Sequence, residues 1–110
     1  MVARTTMAEI DAVRMGVDDA IRMFEDSVIP ALHDQEGYEG SYVLLSQTGQ
    51  VLVLTFWESE ETAEAGIQSG FYNEQVAKFV TIYRAQPGRE TYELVLAEAP
   101  ALTVGLRRAP

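Results

Sequence analysis

Residues 50–61, QVLVLTFWESEE, constrain the fold more tightly than any other stretch. Successive side chains of a strand point to opposite faces. Val51, Val53, Thr55 and Trp57 therefore share one face, and Leu52, Leu54 and Phe56 share the other. A strand with one solvated face alternates apolar with polar residues. This one is apolar on both faces and must be covered twice.

A chain of 110 residues predicts one domain. A domain of that size buries about two-thirds of its unfolded surface, and apolar area beyond its core is expected in an interface. The apolar content of 47% argues against disorder. With 17 acidic and 8 basic residues the formal net charge is -9, which opposes contact with phosphate backbones or anionic lipids. Neither nucleic acid nor a membrane is expected as a partner. No apolar run approaches the ~20 residues of a membrane span, and MVARTTMAEI alternates like a strand instead of forming the apolar centre of a signal peptide. The absence of cysteine excludes disulfides, thiolate metal sites and cysteine nucleophiles, and fits a cytoplasmic location.

The elements follow from periodicity. VARTTMAEI (2–10) reads as a first strand, connected through DAVRMG to a helix beginning in VDDAIRMFEDSVIPALHDQ. Ile21, Phe24, Val28 and Leu32 recur there at spacings of three and four. Asp18 and Asp19 suit the positive amino end of that helix. Pro30 removes one backbone hydrogen bond and is expected to kink it. EGYEG ends the helix, SYVLLS (41–46) is a second strand, and QTGQ is a tight turn in which Gly49 takes a positive φ at little cost. Ser59 is the expected N-cap of a short helix, with Glu60 and Glu61 in its first turn. SG at 69–70 interrupts it, and a longer helix runs from Phe71 to about Arg84 with the stripe Tyr72, Val76, Phe79, Val80 and Tyr83. AQPGR is a loop and ETYELVLA (90–97) a fourth strand, followed by the tail 98–110.

The order βαββαβ predicts an α+β, ferredoxin-like subunit, in which helices cover one face of a four-stranded antiparallel sheet. Tyr42 and Leu44 alternate with Val43 and Leu45 on the second strand, and Tyr92, Leu94 and Leu96 share one side of the fourth. Three strands are thus apolar on faces that a single helical layer leaves bare. A homodimer packing sheet on sheet removes that patch, with the tail expected on the partner subunit.

Over residues 2–97, EGYEG leading into a strand, the short hairpin, FWESEE opening a helix, the broken helical pair and the final strand resemble the antibiotic-biosynthesis-monooxygenase-like family of dimeric α+β barrels. The resemblance implies the paired-sheet dimer and a cleft between sheet and helices. It also implies one of several activities: cofactor-independent oxygenation of aromatic polyketides, quinol oxygenation, or heme degradation. The heme-degrading pattern is not matched. Its strand-one Asn falls at Thr5 or Thr6, its second Trp at Gly66 and its heme-ligating His at Val76, which has no imidazole nitrogen to offer iron.

The monooxygenase pattern needs a donor or cation near a developing phenolate in a water-poor cavity. Trp57 matches the signature position, and serves either as a wall for a flat ligand or as packing. Tyr72, Tyr83, Arg84 and Arg4 are the residue types required, Tyr72 and Tyr83 alternatively belonging to the core and Arg84 to a helix end. His33, the sole histidine, is a candidate base or an exposed helix-end residue. Arg4 lies mid-strand among apolar neighbours, where arginine is rarely buried without a carboxylate or ligand. Its alternatives are a cross-strand ion pair with Glu93 and a clamp on an anion. The expected catalytic set is Trp57, Tyr72, Arg84 and His33, with Arg4, Thr6, Phe56, Tyr83 and Phe79 binding substrate. Glu58, Glu60, Glu61 and Glu64 read as a solvated helix start, so no metal and no organic cofactor is expected. The resulting expectation is a homodimer that binds a small aromatic, polyketide or quinol-like molecule and oxygenates it, the alternative being a non-catalytic carrier or sensor.

Overall fold

The computed structural model describes residues 1–11, 16–79 and 87–98. Its elements are β1 (Val2–Glu9), α1 (Val17–Met23), a π-helical turn (Phe24–Val28), α2 (Ile29–His33), β2 (Tyr38–Leu45), β3 (Gln50–Trp57), α3 (Glu60–Gln68), α4 (Phe71–Ala77) and β4 (Gly88–Glu93). The strands form one sheet in the order β2-β3-β1-β4, with every pairing antiparallel. This is the expected α+β, ferredoxin-like arrangement.

Several boundaries differ from the sequence reading. The helix containing Pro30 widens into a π turn at Phe24–Val28 and resumes with Pro30 in the first turn of α2. The wider turn gives room where the proline ring would press on the carbonyl four residues before it. β2 starts at Tyr38, not at Ser41, because Tyr38 pairs with Trp57 across a bulge at Glu39. β4 ends at Glu93 and does not continue to residue 97. Its register on β1 runs from Met7 opposite Gly88 to Val2 opposite Glu93. The Leu94 amide still donates to the Met1 carbonyl at 3.0 Å, but residues 94–97 are not paired as strand. α4 ends at Ala77, with Lys78 and Phe79 in a turn, short of the expected helix end near Arg84. Residues 80–84 of that expected helix and 99–110 of the expected tail 98–110 lie outside the described residues.

Local chemistry sets the remaining ends. Gly49 takes φ 89° in the β2–β3 turn, as its sequence context predicts. Ser59 caps α3 by accepting from the Thr62 amide at 3.2 Å, while the Thr62 hydroxyl accepts from the Ser59 amide at 3.2 Å, a reciprocal capping box.

Gly37 holds the start of β2 against α3. Its carbonyl accepts from the Glu58 amide at 2.8 Å, its φ is 81°, and a Cβ there would lie 2.6 Å from the Thr62 Cβ. A Gly37→Ala variant is therefore expected to lose about 1–3 kcal/mol of stability through left-handed strain and the clash with the capping threonine. An unchanged urea midpoint would show that the contact relaxes freely.

The core lies between the sheet and the helices and is built from Ile10, Ala20, Val28, Leu32, Val51 and Trp57, closed by Ala63 and Phe79. Among the described residues no helix covers the opposite face. Met7, Tyr42, Leu44 and Tyr92 are each about half exposed, and Tyr42 packs edge-on against Phe56 at 5.5 Å.

Candidate functional site: an apolar cavity with one buried cation

A cavity of about 100 Å³ lies between the sheet and the helices. Its floor comes from alternate residues of the two central strands: Arg4, Thr6 and Ala8 of β1, and Val51, Val53 and Thr55 of β3. Its walls come from the two helical stripes. Ile21, Phe24, Val28 and Leu32 face it from one side, and Tyr72, Val76 and Phe79 from the other. Phe24 and Val28 are the ends of the π turn, so the backbone change before Pro30 sets part of the wall. Engineered apolar cavities of ~150 Å³ accept benzene; this one is smaller but partly open, so its scale is that of one ring at most.

Arg4 is the polar feature that stands out. It is only 3% exposed. One of its terminal nitrogens donates to the Ala63 carbonyl. Its Cζ lies 5.3 Å from the Trp57 ring centroid and 5.2 Å from that of Tyr72, close enough for cation–π attraction. Burial pushes the guanidinium below its ordinary range; nearby Arg89 works in the same direction, while Tyr72 and Glu64 work against it. The expected ion pair with Glu93 is not formed. Arg4 stands opposite Thr55 and Thr91, and Glu93 stands opposite Val2.

The Tyr72 hydroxyl is 2.8 Å from the Thr6 hydroxyl, which ties α4 to β1 at the cavity. The Arg89 Cζ lies 5.2 Å from the same tyrosine ring. Trp57 is fully buried; its indole N–H donates to the Thr55 hydroxyl at 2.9 Å. Its ring meets Tyr38 edge-on at 5.7 Å, and Tyr38 meets His33 at 5.4 Å. Burial raises the Tyr38 hydroxyl above the usual phenol range, partly offset by its 2.5 Å hydrogen bond with Ser41.

Of the residues singled out in the sequence, Arg4, Thr6, Tyr72 and Phe79 converge on the cavity. Trp57 lies behind it, in contact with Arg4. Phe56 belongs to the opposite face, because strand alternation sends it away from Thr55. His33 is exposed at the end of α2 and does not line the cavity. Tyr83 and Arg84 lie outside the described residues. Thr55, Gln75 and Arg89 were not singled out. Thr55 was detectable as the polar member of an otherwise apolar strand face, but Arg89 depends on strand pairing that its own segment does not reveal. Among the described residues no group of three or more His, Cys, Asp or Glu side chains could hold a metal ion. No described helix is long and apolar enough to cross a membrane.

No protein-family model matches the chain. No curated protein matches it in sequence either. Solved structures do. A protein of unknown function from Nitrosomonas europaea superposes with a TM-score of 0.68 at 21% identity, over 91% of this chain and 94% of its own. A candidate antibiotic biosynthesis monooxygenase from Bordetella bronchiseptica matches with a TM-score of 0.68 at 13% identity, over 86% of this chain and 97% of its own. SnoaB, a cofactor-independent oxygenase from Streptomyces nogalater, matches with a TM-score of 0.67 at 6% identity, over 87% of this chain and 94% of its own. The chain has the antibiotic-biosynthesis-monooxygenase fold. At such identities the likeness is one of architecture, and a single fold hosts many activities. The chemistry of a protein with the monooxygenase fold has to be argued from its own cavity.

Proposed function

We propose that this protein is a homodimeric small-molecule-binding protein that takes a single-ring aromatic compound into the cavity and oxygenates phenolic or quinol-like substrates without a metal or organic cofactor. The observation that carries the reading is the cavity itself: two apolar helical stripes enclose a ring-sized space with very few polar groups. The shared fold with SnoaB supports it.

The chemistry balances without an added reductant. A phenol and dioxygen give a quinone and water: one oxygen atom enters the ring, the other leaves as water with two substrate hydrogens, and the substrate supplies all four electrons. The ring reacts through its electron-rich phenolate, which Arg4 would stabilise in a site that excludes water. The half-exposed apolar sheet face supports the dimer.

One observation favours a second reading, a carrier or sensor. Among the described lining residues none is His, Asp or Glu, so no carboxylate or imidazole is in place to accept the phenol proton.

Oxygen uptake and product analysis separate the two. Trp57 is the sole tryptophan and stacks beside Arg4, so its fluorescence reports occupancy. Quenching by a phenol together with stoichiometric oxygen consumption and quinone formation supports the oxygenase. Quenching without turnover supports the carrier. A protein that binds no phenol, quinol or benzene derivative overturns both.

A further inference from the structure

Arg4 is the single buried charged side chain among the described residues. Its Nε is buried and meets no hydrogen-bond acceptor. Its cross-strand neighbours are threonines, and its ring neighbours, Trp57 and Tyr72, offer only their π faces. Glu64 acts on it favourably but forms no ion pair with it among the described residues, and is itself exposed. A second cation, Arg89, sits over the same tyrosine ring. Two guanidiniums thus flank the Tyr72 ring, one buried at the cavity and one exposed, and neither forms an ion pair among the described residues. A buried cation in that position calls for an anion that the described residues do not supply.

The geometry points to an arene carboxylate as the ligand class, its ring among Phe24, Val28, Val53 and Phe79 and its carboxylate accepting from the Arg4 Nε. This deepens the aromatic-ligand reading above and rests on it. A carboxylate arrives ionised at neutral pH, so it neutralises Arg4 on binding. Its two oxygens also suit the planar edge of a guanidinium. A phenol arrives protonated and brings Arg4 no charge until the reaction itself removes its proton, since no described lining residue is a carboxylate or imidazole able to take it on binding. A hydroxyarene carboxylate meets both requirements, with the acid group as the anchor and the hydroxyl ring as the oxidisable part.

Calorimetry at pH 7 with benzoate, its neutral isostere benzamide, and phenol tests the assignment. Wild-type protein is expected to bind benzoate about tenfold or more tightly than benzamide or phenol, the effect of one hydrogen bond to a charged group. Arg4→Met is expected to abolish that preference while retaining the neutral rings. Arg4→Gln serves as the second variant if Arg4→Met fails to unfold cooperatively. Equal binding of benzoate and benzamide, tighter binding of phenol, or a preference unchanged in the variant would overturn the carboxylate assignment and leave the aromatic cavity standing. Failure of all three probes to bind the wild-type protein would overturn the cavity reading, and the carboxylate with it.

Discussion

Replacing Trp57 with alanine is expected to lower folding stability by about 3–5 kcal/mol, the range for truncating a large buried aromatic. Trp57 is fully buried at the end of β3, and its ring joins three parts of the molecule. It packs edge-on with Tyr38, lies under the Arg4 guanidinium, and donates to Thr55. Truncation would leave a cavity, one hydroxyl without its donor, and a buried cation with one aromatic face fewer. Small domains are stable by about 5–15 kcal/mol, so the loss is a large share of the whole. Urea denaturation should show a lower midpoint with an unchanged slope. A midpoint within about 0.5 kcal/mol of wild type would mean that the indole supports little. Trp57→Phe should lose less, because it keeps the edge-on aromatic contact while giving up the hydrogen bond.

Placing a charge at Leu54 is expected to convert the proposed sheet-on-sheet dimer into monomers. Leu54 lies on the helix-free face of a central strand, opposite Thr5 on β1 and Tyr42 on β2. In a sheet-on-sheet dimer Leu54→Glu would bury an unpaired carboxylate twice, once for each subunit, because a two-fold axis repeats every interface residue. In the isolated subunit the same side chain meets water. Sedimentation velocity should therefore give about twice the 12.2 kDa chain mass for wild type and the single-chain mass for the variant. Circular dichroism should remain that of a folded α+β protein. Met7→Glu, at a residue about half exposed on the same face, provides an independent check. A wild-type protein that sediments as a single chain at high concentration would defeat the proposed dimer.

Much of this architecture was legible in local patterns. The alternation in residues 50–57 placed Val53 and Leu54 on different faces, and the register confirms the alternation. The helical stripes, Ile21 to Leu32 and Tyr72 to Phe79, line one cavity as their spacing implied. Ser59 begins α3 because its hydroxyl can satisfy an amide that the helix leaves free, a requirement visible within four residues. The errors came where distant partners decide. The register of β4 is set by β1, and the early start of β2 depends on Trp57 opposite Tyr38. His33 carried the right chemistry by type, yet the end of α2 leaves it exposed beside Tyr38.

The linear chain determined which residues share a face, because backbone geometry repeats every two residues in a strand and every 3.6 in a helix. It did not determine which strand face meets the helices, since turning the sheet over satisfies the same alternation. Only the tertiary structure set Arg4 on the covered side, against the Trp57 and Tyr72 rings, with threonines across from it. Its hydrogen-bond partner Ala63 is 59 residues away along the chain, and the Thr6–Tyr72 contact spans 66. Whether a charge is paired depends on everything within a few ångströms, and chain folding assembles that neighbourhood from segments that carry no record of one another.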